Sequence, residues 1–249
     1  MKKLILFLIG VFLFQNCQTS SDSLNSSSSP IGNGTGGSLA RFTLSDGFLY
    51  TVTETELTVF DVNIMDKPNK LKTLSLGFGA ETIFPYKDAL YIGTTTGMKI
   101  YDNKNPANPQ YLSTYSHIYS CDPVVVQGTY AYVTLRSGTN CRRGQNSLDI
   151  IDVSNPSSPK LVKSIQMLNP HGLAVDGTNL FICEGSNGLK SFDLTDPINP
   201  IQREFINDVI SYDVIPTQKR LIVTGKNGIY QYDYTEPKSL KLLSKISIE

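Results

Sequence analysis

The chain has no tryptophan, two histidines (His117 and His171) and four cysteines in 249 residues. Each scarcity excludes some chemistry. Without tryptophan the commonest sugar-stacking platform is missing, and 13 Tyr and 11 Phe remain to take its place. With two histidines, a Ser–His–Asp triad would have to use one of them. No CxxC, GxSxG, His-rich segment or phosphate-cradling glycine loop occurs, so the motifs of redox dithiols, serine hydrolases and nucleotide-binding loops are missing. Charge is sparse at 18% and balanced, with 22 basic against 22 acidic residues, and the basic residues are scattered. That leaves no electrostatic footprint for nucleic acid. Helical periodicity is missing as well.

What the chain does contain is a motif repeated five times. An apolar-alternating strand ends in aspartate and runs into a turn rich in Asn and Pro. The copies end at Asp61, Asp102, Asp152, Asp193 and Asp233, spaced 41, 50, 41 and 40 residues apart. A period near 40 filled with short strands is the signature of propeller blades. No single blade can bury both its faces, so the blades must pack radially around an axis. The expected fold is all-β, a five-bladed β-propeller of four-stranded repeats over residues 39–249, about 42 residues each. Turns Asn105-Pro106, Asn155-Pro156 and Asp196-Pro197 stop strands, because proline fixes φ and lacks a ladder donor. An aspartate present in every blade reads as a turn cap rather than a catalytic group.

The N-terminus supplies an address. Lys2 and Lys3 precede the apolar run Leu4–Phe14, which is shorter than the roughly 20 residues a spanning helix needs, so residues 1–16 read as an export signal. Phe14-Gln15-Asn16-Cys17 resembles a bacterial lipobox, which implies cleavage before Cys17 and lipidation of its thiol; an ordinary secretory signal is the alternative. Such an anchor ties a domain to a membrane without spanning it. Residues 17–38, rich in Ser, Gly and Asn, read as a flexible tether. The expected location is a bacterial membrane, the outer one, facing periplasm or exterior.

Leu148-Asp-Ile-Ile-Asp-Val-Ser-Asn-Pro-Ser-Ser-Pro159, with Tyr130-Ala-Tyr-Val133 before it, is similar to the LVIVD repeat of bacterial exported propeller proteins. The resemblance implies architecture and export. It implies no catalytic motif.

Aligning the second strands on Tyr50, Tyr91, Tyr132, Phe181 and Ile222 places Ala40, Glu81, Asp122, His171 and Tyr212 at the starts of the innermost strands, with Arg41 and Asp213 beside them. These residues are expected to ring one mouth of the central channel, a concave place to seek a ligand. Glu81, Asp122, His171 and Asp213 offer ligands for a divalent cation. Solvated strand-start residues are the alternative, and no cofactor is required. Glu81 and Asp122 could also act as acid and base in glycoside hydrolysis, given the right separation. Four loops between second and third strands are short, but the third, Arg136 to Ser147, is longer and carries Cys141, Arg142 and Arg143. Cys121 and Cys141 are placed to form a disulfide, the alternative being two free thiols. Cys183, ending an apolar strand, reads as a buried small hydrophobe.

Two functions follow. One is a non-catalytic module binding a macromolecule, protein or glycan, through its loop face, with Arg136, Arg142 and Arg143 as contacts. The other is a small-ligand or metal-dependent enzyme, such as a hydrolase, at the channel mouth. A monomer is expected, its ring closing by contact between first and last blades, with pairing of two chains as the other solution.

Overall fold

Alternating apolar residues separated by Gly, Asn and Asp turns fold each repeat into a four-stranded antiparallel sheet with its strands in sequential order. The computed structural model describes residues 37–117, 123–138, 145–236 and 238–248. Blade 1 comprises β1 (Phe42–Ser45), β2 (Phe48–Val52), β3 (Glu56–Asp61) and β4 (Asn69–Ser75). Blade 2 holds β5 (Ala80–Tyr86), β6 (Ala89–Thr94), β7 (Gly97–Asp102) and β8 (Gln110–Ser116). In blade 3 the strands are β9 (Val124–Gln127), β10 (Tyr130–Leu135), β11 (Ser147–Asp152) and β12 (Lys160–Gln166). Those of blade 4 are β13 (Leu173–Asp176), β14 (Asn179–Cys183), β15 (Leu189–Asp193) and β16 (Ile201–Ile206). Blade 5 ends the chain with β17 (Ser211–Thr217), β18 (Arg220–Gly225), β19 (Gly228–Asp233) and β20 (Lys241–Ser247). The five sheets are arranged as a five-bladed β-propeller, as the repeat predicts.

The register is the same in every blade. Tyr50 faces Thr43, Tyr91 faces Phe84, Tyr132 faces Val125, Phe181 faces Ala174 and Ile222 faces Ile215. The repeat aspartates cap their turns, each carboxylate accepting the backbone N–H two residues on: Asn63, Lys104, Ser154, Thr195 and Thr235, at 2.7–2.9 Å. Asp193 is held down to about 2 by the Thr195 hydroxyl and amide and by Arg203. A turn-capping role therefore accounts for all five.

Successive blades bury their cores between them. Period-2 alternation sends neighbouring residues to opposite junctions: Leu180 and Ile182 of β14 pack against blade 3, and Phe181 and Cys183 against blade 5. Similar clusters join blades 1 and 2 through Tyr50, Leu57, Leu90 and Ile92, and blades 2 and 3 through Tyr91, Ile100, Val124 and Val133. Polar clasps sit at the rims of these junctions. The Tyr50 hydroxyl reaches the Pro106 carbonyl at 3.0 Å, Ser113 reaches Pro156 at 2.5 Å, and Tyr132 reaches Pro197 at 3.0 Å. Tyr132→Phe is expected to lose about 1 kcal/mol, the net worth of one such bond, in urea unfolding; an unchanged midpoint would show that solvent replaces the clasp.

Among the described residues, blade 1 and blade 5 each take all four strands from consecutive sequence, so no strand is shared between them. Their central strands differ from the rest. In blades 2 and 4, β6 and β14 are buried on both faces, whereas β2 and β18 are fully buried only at alternate residues. Among the described residues, the buried clusters fall at the four junctions between successive blades, with none between blades 5 and 1. A short strap preceding β1 makes the link instead. Ser38 Oγ donates to Asp213 Oδ1 at 3.3 Å and accepts Leu173 N at 2.8 Å, while the Ala40 carbonyl accepts Ile83 N at 3.0 Å. Gly37 and Ser38, at the end of the expected tether, are thus buried against blades 4 and 5.

Candidate functional site

One face of the propeller carries the starts of the innermost strands and the loops between second and third strands. The ring positions expected there divide into two groups. Arg41 and Glu81 come together at the junction of blades 1 and 2, lining a cavity of about 470 Å³ with Glu54, Phe78, Thr95 and Thr96. Glu81 sits at a bulge, because β5 and β6 shift register between Ala80 and Thr82. Phe78 is 83% exposed. It sits between Gly77 and Gly79, whose φ angles of +73° and +85° only glycine adopts without strain. This turn holds an aromatic ring out in water beside two carboxylates and a guanidinium.

The second group lies across the channel in blades 4 and 5. His171 is half-buried, its amide donating to the Cys183 carbonyl at 2.7 Å and its own carbonyl accepting the Thr134 hydroxyl at 2.6 Å. Burial, with the Arg136 charge, lowers the imidazole to about 4, so it is neutral at neutral pH. Its ring lies 5.6 Å from that of Tyr212, which is 38% exposed. Asp213 is not open to a ligand, because the strap occupies it. Its carboxylate accepts the amides of Val214, Ser38 and Leu39 and the Ser38 hydroxyl, yet burial outweighs these bonds and raises it to about 6. A Cβ at Gly172 would stand 2.1 Å from Asp213 Oδ1, so only glycine fits beside it.

Asp122, the sixth candidate, lies outside the described residues, as do Cys17, Cys121, Cys141, Arg142 and Arg143. Among the described residues no three His, Cys, Asp or Glu side chains gather as a metal site. The base of the long loop is tied down: Asn146 Oδ1 accepts Ser137 N and Oγ, each at 2.9 Å, and its amide donates to the Leu168 carbonyl at 2.6 Å. Cys183 is a free thiol, fully buried, and burial pushes it well above the usual thiol range.

Sequence reading missed the strongest charge pair on this face. Glu184 is wholly buried, 2.7 Å from Lys190 Nζ, and accepts the amides of Leu168 at 3.1 Å and Asn169 at 2.6 Å. It anchors the connection from blade 3 to blade 4. A signal existed, since the equivalent positions in the other blades are Thr53, Thr94, Leu135 and Gly225. A glutamate where the repeat has small or apolar residues marks a position with a special partner.

Among the described residues no helix is long and apolar enough to cross a membrane. No curated protein matches the chain. A protein from Lactobacillus plantarum superposes with a TM-score of 0.65 at 15% identity, covering 82% of this chain and 69% of that one. A functionally unknown protein from Desulfotomaculum acetoxidans gives 0.64 at 9% identity, with coverages of 81% and 66%. The periplasmic gluconolactonase of Pseudomonas aeruginosa gives 0.63 at 11%, with 82% and 68%. The chain thus spans about two thirds of the length of these structures, and at such identities the likeness concerns the fold alone. The family model described as LVIVD repeat matches residues 120–166. The protein is a five-bladed β-propeller whose third blade matches the LVIVD repeat.

Proposed function

We propose that the chain is an exported, lipid-anchored propeller that binds a macromolecule, protein or glycan, through its strand-start face without catalysing a reaction. The observation that carries this reading is the cavity at blades 1 and 2. Phe78 stands 83% exposed at its edge, and Arg41, Glu54 and Glu81 line it. Leaving a phenylalanine ring in water forgoes about 1.5–3 kcal/mol of burial, which a binding partner can recover. The charged groups around it supply the few directional contacts that set orientation. The base of the long loop, Ser137 and Asn146, is tied down on the same face. Anchorage through Cys17 keeps this surface at a bacterial envelope, with no spanning segment required.

Thermal unfolding against a panel of sugars and of divalent metals with an EDTA control tests the glycan side. A ligand at about 100 times its Kd adds roughly 2.7 kcal/mol, or around 5–10 °C for a domain of this size. The expected result is a sugar-dependent shift lost in Phe78→Ala. A protein partner would give a flat panel but cross-link to the wild type at the cell surface and not to a chain lacking residues 139–144. A metal-dependent shift lost in His171→Ala would overturn the reading in favour of channel-mouth chemistry.

A further inference from the structure

The three tyrosines that align in the second strands of blades 1 to 3 are not used alike. The hydroxyls of Tyr50 and Tyr132 donate to the carbonyls of Pro106 and Pro197 on the next blade, each at 3.0 Å. At the junction of blades 2 and 3 the matching carbonyl, that of Pro156, accepts Ser113 Oγ instead, at 2.5 Å. Val153 stands where Tyr50 finds a second acceptor in Asn103. Among the described residues nothing accepts the Tyr91 hydroxyl. The cause is a local break in the repeat. Blades 1 and 3 carry Lys72 and Lys163, which reach across to Asn108 and Asn199. At the junction of blades 2 and 3 those two positions are Ser113 and Ser158. Beside these serines lies a cavity of about 380 Å³, the size of a small-ligand site. It opens on the face opposite the strand starts, among the turns β5–β6, β9–β10 and β11–β12. Tyr91 is 3% exposed, packed in the junction core with Ile100 and Val124, and lines this cavity. Burial pushes its phenol up to about 12, so it stays a hydrogen-bond donor at ordinary pH.

We propose that this cavity binds a small neutral polyhydroxylated molecule, a mono- or disaccharide, with Tyr86 and Tyr91 as donors and Asp88 and Asp102 as acceptors. The Tyr86 hydroxyl accepts Gly128 N at 2.7 Å and keeps its own proton to donate. Lys87 and Lys104 also line the cavity, Lys87 lying 5.4 Å from the centre of the Tyr86 ring. Among the described residues none of these two lysines and two aspartates forms an ion pair. The charge balance selects the ligand. Two positive and two negative groups cancel, so a ligand of either sign would meet a like charge beside each opposite one. An anion, moreover, has no proton to give the two carboxylates. A sugar hydroxyl accepts one hydrogen bond and donates another, which satisfies phenol and carboxylate together. Leu112 and Val153 offer apolar wall for the C–H face of a sugar ring. This site stands apart from the macromolecule-binding face and does not depend on that reading.

The test is saturation-transfer NMR titration of the full chain, in a detergent without a sugar headgroup. Glucose, galactose, mannose and maltose are the probes, with glucuronate and glucosamine as charged controls. The expected result is transfer to at least one neutral sugar, its affinity falling about 2–10-fold in Tyr91→Phe, the worth of one neutral hydrogen bond. Because that hydroxyl has no partner within the fold, Tyr91→Phe should unfold in urea like the wild type. Ser113→Lys combined with Ser158→Asn rebuilds the clasp of the neighbouring junctions and returns the Pro156 carbonyl to Tyr91. It should weaken binding at least as much. Phe78→Ala should leave binding unchanged, which separates this cavity from the strand-start face. Transfer to none of the neutral probes, or to the charged controls alone, would overturn the proposal. So would equal affinity in Tyr91→Phe, or binding that disappears in Phe78→Ala.

Discussion

Glu184→Ala is expected to destabilise the fold by about 3–5 kcal/mol, the usual consequence of removing one member of a buried ion pair. The reason is what stays behind. Lys190 Nζ lies 2.7 Å from Glu184 in a side chain only 11% exposed, and without the carboxylate its charge is buried with no counterion. The amides of Leu168 and Asn169 lose their acceptor in the same step. Lys190→Met should cost clearly less, because Glu184 keeps both backbone donors and the methionine refills the space beside Phe205. For a domain of this size the larger loss corresponds to a fall in Tm of about 6–20 °C, readable by calorimetry alongside urea titration. If Glu184→Ala unfolds within 1 kcal/mol of the wild type, something other than this pair holds the connection between blades 3 and 4.

The second large effect is a pair of opposed pH dependences on the strand-start face. Asp213 is raised from 3.8 to about 6 by burial, so from pH 4 to 6 the unfolded chain has released its proton while the folded one retains it. Stability contributed by Asp213 is therefore present at low pH and lost as pH rises through that window, by up to about 3 kcal/mol. His171 behaves in the opposite sense. Its depression from 6.5 to about 4 means that the unfolded chain takes up a proton first as pH falls, and stability is lost from pH 6.5 downwards. Solvent screening at this part-exposed ring reduces that effect to about 1–2 kcal/mol. The two slopes oppose each other between pH 4 and 6, so the wild-type curve should be shallow there. In Asp213→Asn, stability should fall on acidification from pH 6.5 to 4, and in His171→Gln it should rise over pH 6 to 4. Urea unfolding at pH 7, 5.5 and 4 separates the cases, and parallel curves for the two variants would refute the assignment.

Much of this protein was determined by short-range patterning that a single chain displays. The five aspartates accept amides two residues away, and alternation over five or six residues decides which side chains face which junction. Such contacts depend on neighbours within one turn or one strand, so blade number, register and turn chemistry are legible from spacing alone. Arg41 and Glu81 were legible as strand-start residues for the same reason, and they share a cavity.

What only the tertiary structure decided depends on where distant blades stand relative to one another. Treating the five strand starts as equivalent predicts one ring of polar side chains. The structure instead places Arg41 and Glu81 around one cavity and hands Asp213 to Ser38, 175 residues away in sequence. No periodicity encodes that contact, because Gly37 and Ser38 precede the first repeat. The same holds for the seam. Ile222 and Phe181 hold the same position of the repeat, yet one is part-exposed and the other fully buried. The difference is whether another blade lies against them, and burial of a repeat's face is a property of its neighbour, which the repeat itself does not contain.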